Sequence, residues 1–89
     1  MIVIGTDSGG LEHKNWRKNL AWGLKIQKSA LEKYPTLMRN LHLCAERYNG
    51  HTGEGAMIIE IGSNANTLPE AKQCAKLLGE CIADVINGL

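Results

Sequence analysis

Aromatic residues are scarce in this sequence, and phenylalanine is absent: the 89 residues include two tryptophans and two tyrosines. A hydrophobic core must therefore be built from isoleucine, leucine, valine, alanine and methionine. No apolar run approaches the ~20 residues that a membrane-spanning helix needs, and there is no signal-peptide pattern. The net charge is only +1, so charge alone indicates neither a nucleic acid nor an anionic membrane as a partner.

Metal-binding and disulfide patterns are also missing. The cysteines are Cys44, Cys74 and Cys81, and the histidines are His13, His42 and His51. Three cysteines do not make a disulfide framework, and no Cys-x-x-Cys, His-x-His or helical His pair is present. We therefore predict no metal held within this chain. His13 and His51 fall in loops, where they could face a site either as ligands or as ordinary polar residues.

The apolar pattern predicts one α/β domain over residues 1–89, with the element order β-α-β-β-α and a small, mostly parallel sheet of about three strands. The expected strands are Met1–Gly5, Leu41–Ala45 and Ala56–Ile61, and the expected helices run from Trp16 to Pro35 and from Thr67 to Gly88. The helical period predicts one apolar stripe on the first helix, formed by Trp16, Leu20, Gly23, Leu24, Gln27, Ala30, Leu31 and Tyr34. The last helix opens with a capping box, since Glu70 follows Thr67 by three residues.

Glu60 is the most informative residue in the pattern. It interrupts a continuously apolar run bounded by Gly55 and Gly62, which is typical of a strand buried on both faces. A lone carboxylate is costly in such a strand unless it is paired or lies beside a metal. Glu60 also falls near the carboxyl end of the strand, where α/β sheets place their active sites. We therefore predict a chemical role for Glu60.

Other polar residues follow the predicted strands. Asp7 comes after the first strand, Glu46 and Arg47 after the second, and Asn64 after the third. In a parallel sheet these positions would meet at one edge and form a site. Arg47 could either pair with Glu46 or bind a substrate carboxylate.

The loop Thr6–Gly10 has two possible interpretations. Its glycines could cradle a phosphate, but the lysine and spacing of a phosphate-binding loop are missing. A tight turn is the simpler interpretation.

Several ordered motifs resemble one family along almost the whole chain. The motifs are Gly5–His13, Asn15–Arg17 with Asn19, Glu46–Asn49 with His51, and Glu60–Asn64 with Asn66–Thr67. Together they resemble stage II sporulation protein P. The end of the chain, from Ile82 to Gly88, is also similar to the last helix of zinc-dependent N-acetylmuramoyl-L-alanine amidases of the amidase type 3 class.

The resemblance implies a phosphorylase/hydrolase-like zinc amidase domain. Such a peptidoglycan hydrolase cuts the amide between N-acetylmuramic acid and the L-alanine of the stem peptide. In that family zinc is held by two histidines and a glutamate, and a later glutamate is the general base and then the acid. Glu60 matches that later glutamate. From their positions in the loops and their chemistry, we also predict that Asp7, Arg47, His51 and Asn64 bind the substrate.

The zinc-ligand motifs of the family lie upstream of the segment that this chain matches. The chain is therefore expected to be the C-terminal part of a catalytic domain, inactive alone and without its own zinc. The resemblance implies a membrane-anchored parent with an extracytoplasmic catalytic domain, which acts during engulfment with a lytic transglycosylase. The alternative is a non-catalytic module that binds peptidoglycan or the partner enzyme. We also expect a soluble fragment that forms a homodimer through surfaces that truncation exposes.

Overall fold

The computed structural model describes residues 1–62 and 66–88. Its elements are β1 (Ile2–Gly5), α1 (Trp16–Lys33), β2 (His42–Cys44), the 3₁₀ helix Gly50–Thr52, β3 (Ile58–Ile59) and α2 (Leu68–Asn87). The predicted order β-α-β-β-α is confirmed. Every strand is shorter than the apolar pattern predicts, and the third keeps only two residues.

The sheet is mixed, so the prediction of a mostly parallel sheet is wrong. The strand order is β2-β1-β3, with β2 parallel and β3 antiparallel to β1. Parallel neighbours need a long crossover, which is usually an α-helix. Helix α1 provides that crossover between β1 and β2. The segment between β2 and β3 holds only a 3₁₀ helix, and the chain returns along β1 in the opposite direction.

The core lies between one face of the sheet and both α-helices. Ile2 and Ile4 of β1 are fully buried and pack in a cluster with Ile26 of α1 and Leu78 of α2. Burial of each such side chain stabilises the fold by about 1.5–3 kcal/mol. Because successive strand residues point to opposite faces, the other face of the sheet is turned away from the helices.

Helix α1 begins at Trp16 and ends before Pro35, as predicted, but its buried stripe differs from the predicted one. The buried residues are Asn19, Gly23, Ile26 and Ala30. Leu24 and Leu31, which we placed on the stripe, are 51% and 53% exposed. The helix turns its smaller residues to the sheet, since a Cβ on Gly23 would lie 3.3 Å from the Ile4 side chain.

Helix α2 begins with the capping box that the sequence predicts. The Glu70 backbone N–H donates to Thr67 Oγ1 at 3.3 Å, and the Thr67 N–H donates to Glu70 Oε1 at 3.0 Å. The helix packs on α1, where Tyr34 Oη donates to a Glu80 carboxylate oxygen at 2.6 Å.

Candidate functional site

The sheet face opposite the helices carries the residues with reactive side chains. The register places Val3 beside His42 on one side and beside Ile58 on the other, so these three share a face. Cys44, two residues beyond His42, lies on the same face. Val3 is buried by its neighbours, whereas His42 and Ile58 are exposed. This open face, defined by Val3, His42, Cys44 and Ile58, is the scaffold for Glu60.

Glu60 follows directly after β3 and is exposed. Its backbone N–H donates to the Met1 carbonyl at 2.9 Å, which extends the β1–β3 pairing by one residue. Two residues after Ile58, its side chain belongs to the open face. No described residue pairs with its carboxylate. The prediction of a strand buried on both faces is wrong, because β3 is a two-residue edge strand whose Ile58 is 39% exposed.

The predicted convergence of the polar loops at one sheet edge is also wrong for Glu60. Glu60 is hydrogen-bonded to Met1, at the start of β1, whereas Asp7 and Arg47 follow the ends of β1 and β2. Four residue steps along β1 separate the two ends by about 13 Å. The physical reason is that β3 runs antiparallel to β1, so the carboxyl end of β3 lies beside the amino end of β1.

Electrostatic effects nevertheless link Glu60 with groups near the end of β2. Burial raises the pKa of the Cys44 thiol, and the negative charges of Glu46 and Glu60 raise it further. The Glu46 charge raises the pKa of the Tyr48 hydroxyl most, followed by burial and Cys44, and the Glu60 charge contributes least. The thiol and the phenol therefore stay protonated at neutral pH. Both groups can donate hydrogen bonds, and the Cys44 thiol does so on the face that carries Glu60.

The loop after β1 is a tight turn, as the simpler interpretation predicted. The Gly10 N–H donates to the Asp7 carbonyl at 3.1 Å, and the Ser8 N–H donates to Thr6 Oγ1 at 3.2 Å. Thr6 Oγ1 in turn donates to the Cys44 carbonyl at 2.7 Å. These bonds tie the turn to β2 and leave the Asp7 side chain exposed beyond the sheet edge.

Arg47 lies where the chain crosses the end of β1. Its backbone carbonyl packs directly over Gly5, leaving no room for a Cβ there. Its Nη1 donates to the Glu12 carbonyl at 3.2 Å. Within residues 1–62 and 66–88, Arg47 forms no ion pair with Glu46. The guanidinium therefore joins the loop after β1 to the loop after β2.

A second group of polar residues surrounds the start of α1. Asn19 is fully buried; its Nδ2 donates to the Gly50 carbonyl at 2.9 Å, and its Oδ1 accepts from the Gly55 N–H at 2.7 Å. These bonds hold the 3₁₀ helix against α1. A cavity of about 280 Å³ beside it is lined by Arg47, His51 and four residues of the segment 12–15.

Two predicted site residues, Arg47 and His51, therefore share a cavity, while Asp7 and Glu60 lie outside its lining. Asn64 lies outside the described residues. Among the residues that the structure describes, no group of three or more His, Cys, Asp or Glu side chains could hold a metal ion. The described residues thus do not fit a zinc ion by themselves.

Sequence reasoning missed Cys44 and Tyr48, whose pKa values the Glu60 charge raises. It named His13 as a loop residue that could face a site but did not predict its burial in the cavity wall. Because side chains alternate between the two faces of a strand, the register of β2 against β1 would have placed Cys44 on the open face. Nothing in the local sequence around His13 distinguishes it from an ordinary loop residue, yet it is 2% exposed.

The fold and the open face together define a small α/β domain with a mixed sheet, in which no described residue pairs with the carboxylate of Glu60. Within the described residues, neither α-helix combines the length and apolar character needed to cross a membrane. The family model of stage II sporulation protein P matches residues 1–83, so the chain belongs to that family and has a sporulation-related role. No curated protein and no solved structure matches the chain.

Proposed function

We propose that this chain supplies the general base of a zinc-dependent N-acetylmuramoyl-L-alanine amidase. The single observation that supports this proposal most is the family match over residues 1–83, within which Glu60 stands in a Glu-x-Gly setting. Family membership is consistent with a hydrolase. The substrate is peptidoglycan, and the bond cut is the amide between N-acetylmuramic acid and the L-alanine of the stem peptide.

The exposure of Glu60 supports a catalytic role better than a structural one. A structural carboxylate is held by a cation or by N–H donors, whereas the Glu60 side chain has no such partner among the described residues. It projects from the open face with His42 and Cys44 on neighbouring strands. A substrate strand of peptidoglycan can reach it there without any opening of the core.

The chemistry of this residue follows from its unpaired oxygens. The Glu60 carboxylate accepts a proton from an attacking water and then donates it to the amide nitrogen that leaves as an amine. Zinc, in the parent protein, would polarise the amide carbonyl. In this proposal the zinc ligands belong to another part of the parent.

Substrate binding is assigned to the polar groups at the other end of the sheet. Arg47 and His51 line one cavity, and Asp7 is exposed in the adjoining turn. Asn64 completes the proposed set on the basis of its motif alone. Because these groups lie about 13 Å or more from Glu60 along β1, they would bind parts of the substrate distant from the scissile amide.

The biological setting is also part of the proposal. The parent protein is membrane-anchored, with its catalytic domain in the space between the mother-cell and forespore membranes. It acts during engulfment together with a lytic transglycosylase. In this setting the 89-residue chain alone is inactive, because the metal ligands come from elsewhere in the parent.

Purified sacculi provide the test. We expect the 89-residue chain to release no stem peptides with new L-alanine amino termini and to contain no stoichiometric zinc by mass spectrometry. We expect the parent protein to release these products and to contain stoichiometric zinc. Turnover or stoichiometric zinc in the isolated chain would overturn the proposed division of the site. A parent that binds sacculi without cleaving them would instead support the non-catalytic binding module.

A further inference from the structure

His13 is buried without hydrogen-bond partners. Its side chain is 2% exposed, and neither Nδ1 nor Nε2 has a partner among the described residues. A neutral imidazole has one N–H donor and one acceptor nitrogen. Leaving a buried donor unpaired destabilises a protein, so such a group calls for a partner, which a water or a ligand can supply. Gly50 packs close to the ring, since a Cβ added at that position would lie only 2.8 Å from His13 Nε2.

The His13 ring forms part of the wall of the cavity of about 280 Å³ near the start of α1. The lining residues are Glu12, His13, Lys14, Asn15, Arg47 and His51. Glu12 is the one acidic side chain in this lining, and it pairs with Lys14 at 3.1 Å. The guanidinium of Arg47 uses Nη1 to bind the Glu12 carbonyl. The lining is therefore basic, and Arg47 keeps further N–H donors for a ligand.

The amino terminus of α1 meets the same cavity. Asn15 occupies the N-cap position but its side chain makes no capping hydrogen bond, and the first turn of α1 contains no acidic residue. The first N–H groups of a helix lack intrahelical partners and favour a negative charge. In α2, by contrast, Thr67 and Glu70 satisfy these groups. An anion in the cavity would accept hydrogen bonds from the first N–H groups of α1, as the capping box does for those of α2.

We propose that this cavity binds a peptide carboxylate through the Arg47 guanidinium, the His13 ring and the start of α1. With neutral histidines, Lys14 and Arg47 contribute two positive charges and Glu12 one negative charge, which leaves one positive charge. That charge balances a monoanionic carboxylate better than a dianionic phosphate. The planar fork of Arg47 also matches the two carboxylate oxygens. The assignment of this carboxylate to the stem peptide of peptidoglycan rests on the proposed function.

The test is a titration of the 89-residue chain followed by NMR, with no cleavage and no metal involved. The probes are N-acetyl-L-alanine, used only as a small model of a terminal peptide carboxylate, its neutral carboxamide analogue and inorganic phosphate. We expect saturable shifts with N-acetyl-L-alanine at the His13 ring and at the first amides of α1. The carboxamide should bind at least tenfold more weakly, because it lacks the charge-assisted hydrogen bonds.

Variants locate the binding in this cavity. Arg47→Gln should weaken binding of N-acetyl-L-alanine about tenfold or more. Lys72→Gln, which removes a positive charge from an exposed position of α2, should leave it unchanged. His51→Ala alters an exposed residue of the same lining and keeps the test decisive if Arg47→Gln does not fold.

Three outcomes would overturn the proposal: equal binding of the carboxamide, tighter binding of phosphate than of the carboxylate, or equal losses in Arg47→Gln and Lys72→Gln. None of these measurements depends on amide cleavage. If the amidase proposal fails while N-acetyl-L-alanine still binds, the carboxylate cavity stands and only its assignment to the stem peptide is lost.

Discussion

The substitution Gly5→Ala tests the packing at the end of β1. Gly5 is buried, and a Cβ there would overlap the Arg47 carbonyl oxygen and lie 2.7 Å from the Glu46 carbonyl oxygen. Both obstacles are backbone atoms, so neither can rotate away as a side chain would. Overpacking of this kind costs about 1–3 kcal/mol, and fixed obstacles favour the upper end of that range.

A loss of ~3 kcal/mol is a large part of the stability of a domain this small, which is ~4–13 kcal/mol on a per-residue basis. At ~4–8 °C per kcal/mol, we expect Gly5→Ala to lower the Tm by roughly 12–24 °C. Thermal unfolding followed by far-ultraviolet circular dichroism measures this change. A second measurement of the free energy of unfolding in urea checks that the loss is an equilibrium effect.

Gly79→Ala is the matched control, because a Cβ at that exposed position in α2 would meet nothing within 4 Å beyond the adjoining backbone of its own helix. Alanine is favoured over glycine in a helix interior by about 1 kcal/mol, so the Tm should rise by roughly 4–8 °C. If Gly5→Ala unfolded at the wild-type temperature while Gly79→Ala behaved as expected, the segment after β2 would not cross Gly5. The placement of Arg47 would then be wrong.

Three further predictions follow from other parts of the fold. Asn19→Ala leaves the Gly50 carbonyl and the Gly55 N–H without their partner, so the free energy of unfolding should fall by about 2–5 kcal/mol in urea; a smaller loss than ~1 kcal/mol would contradict the described bonds. The hydrogen bond from the Thr67 N–H lowers the pKa of Glu70 in the folded state, so the ionised carboxylate stabilises the fold. This stabilisation is present above the unfolded-state pKa of Glu70 and is lost as the pH falls through the folded-state pKa. Glu70→Gln should flatten that part of the stability–pH profile, and an unchanged profile would contradict the assignment. Light scattering at high concentration should detect a homodimer formed through the exposed sheet surfaces, whereas a strictly monomeric mass would count against it.

Local signals in the sequence predicted the helices well. The capping box at Thr67 and Glu70 and the stop before Pro35 depend only on residues close in sequence, and the structure confirms both. The stripe of α1 was harder to predict, because Leu24 and Leu31 have the right spacing but lie outside the face that meets the sheet. The periodicity predicts that α1 has an apolar face, but packing against β1 determines which residues lie at the centre of that face.

The sequence allowed the identity of the site residue Glu60 to be predicted, but not the arrangement of the site residues in space. The motif around Glu60 marked the residue, yet its apolar flanks suggested a buried parallel strand, and the direction of β3 is a property of the whole sheet. Burial of His13 likewise depends on the 3₁₀ helix near Gly50, whose position is fixed by the distant Asn19. Contacts between residues more than thirty positions apart leave no local trace in one sequence.

The most direct test of the proposed function is Glu60→Gln in the parent protein, assayed by the release of new L-alanine amino termini from sacculi. Because Glu60 is exposed and its side chain has no described partner, the variant should fold and bind zinc like the wild type. Glu32→Gln, at an exposed position of α1, is the matched control and should keep full activity. We predict that Glu60→Gln abolishes cleavage with its zinc content unchanged. Cleavage at the wild-type rate by Glu60→Gln would contradict the assignment of Glu60 as the general base.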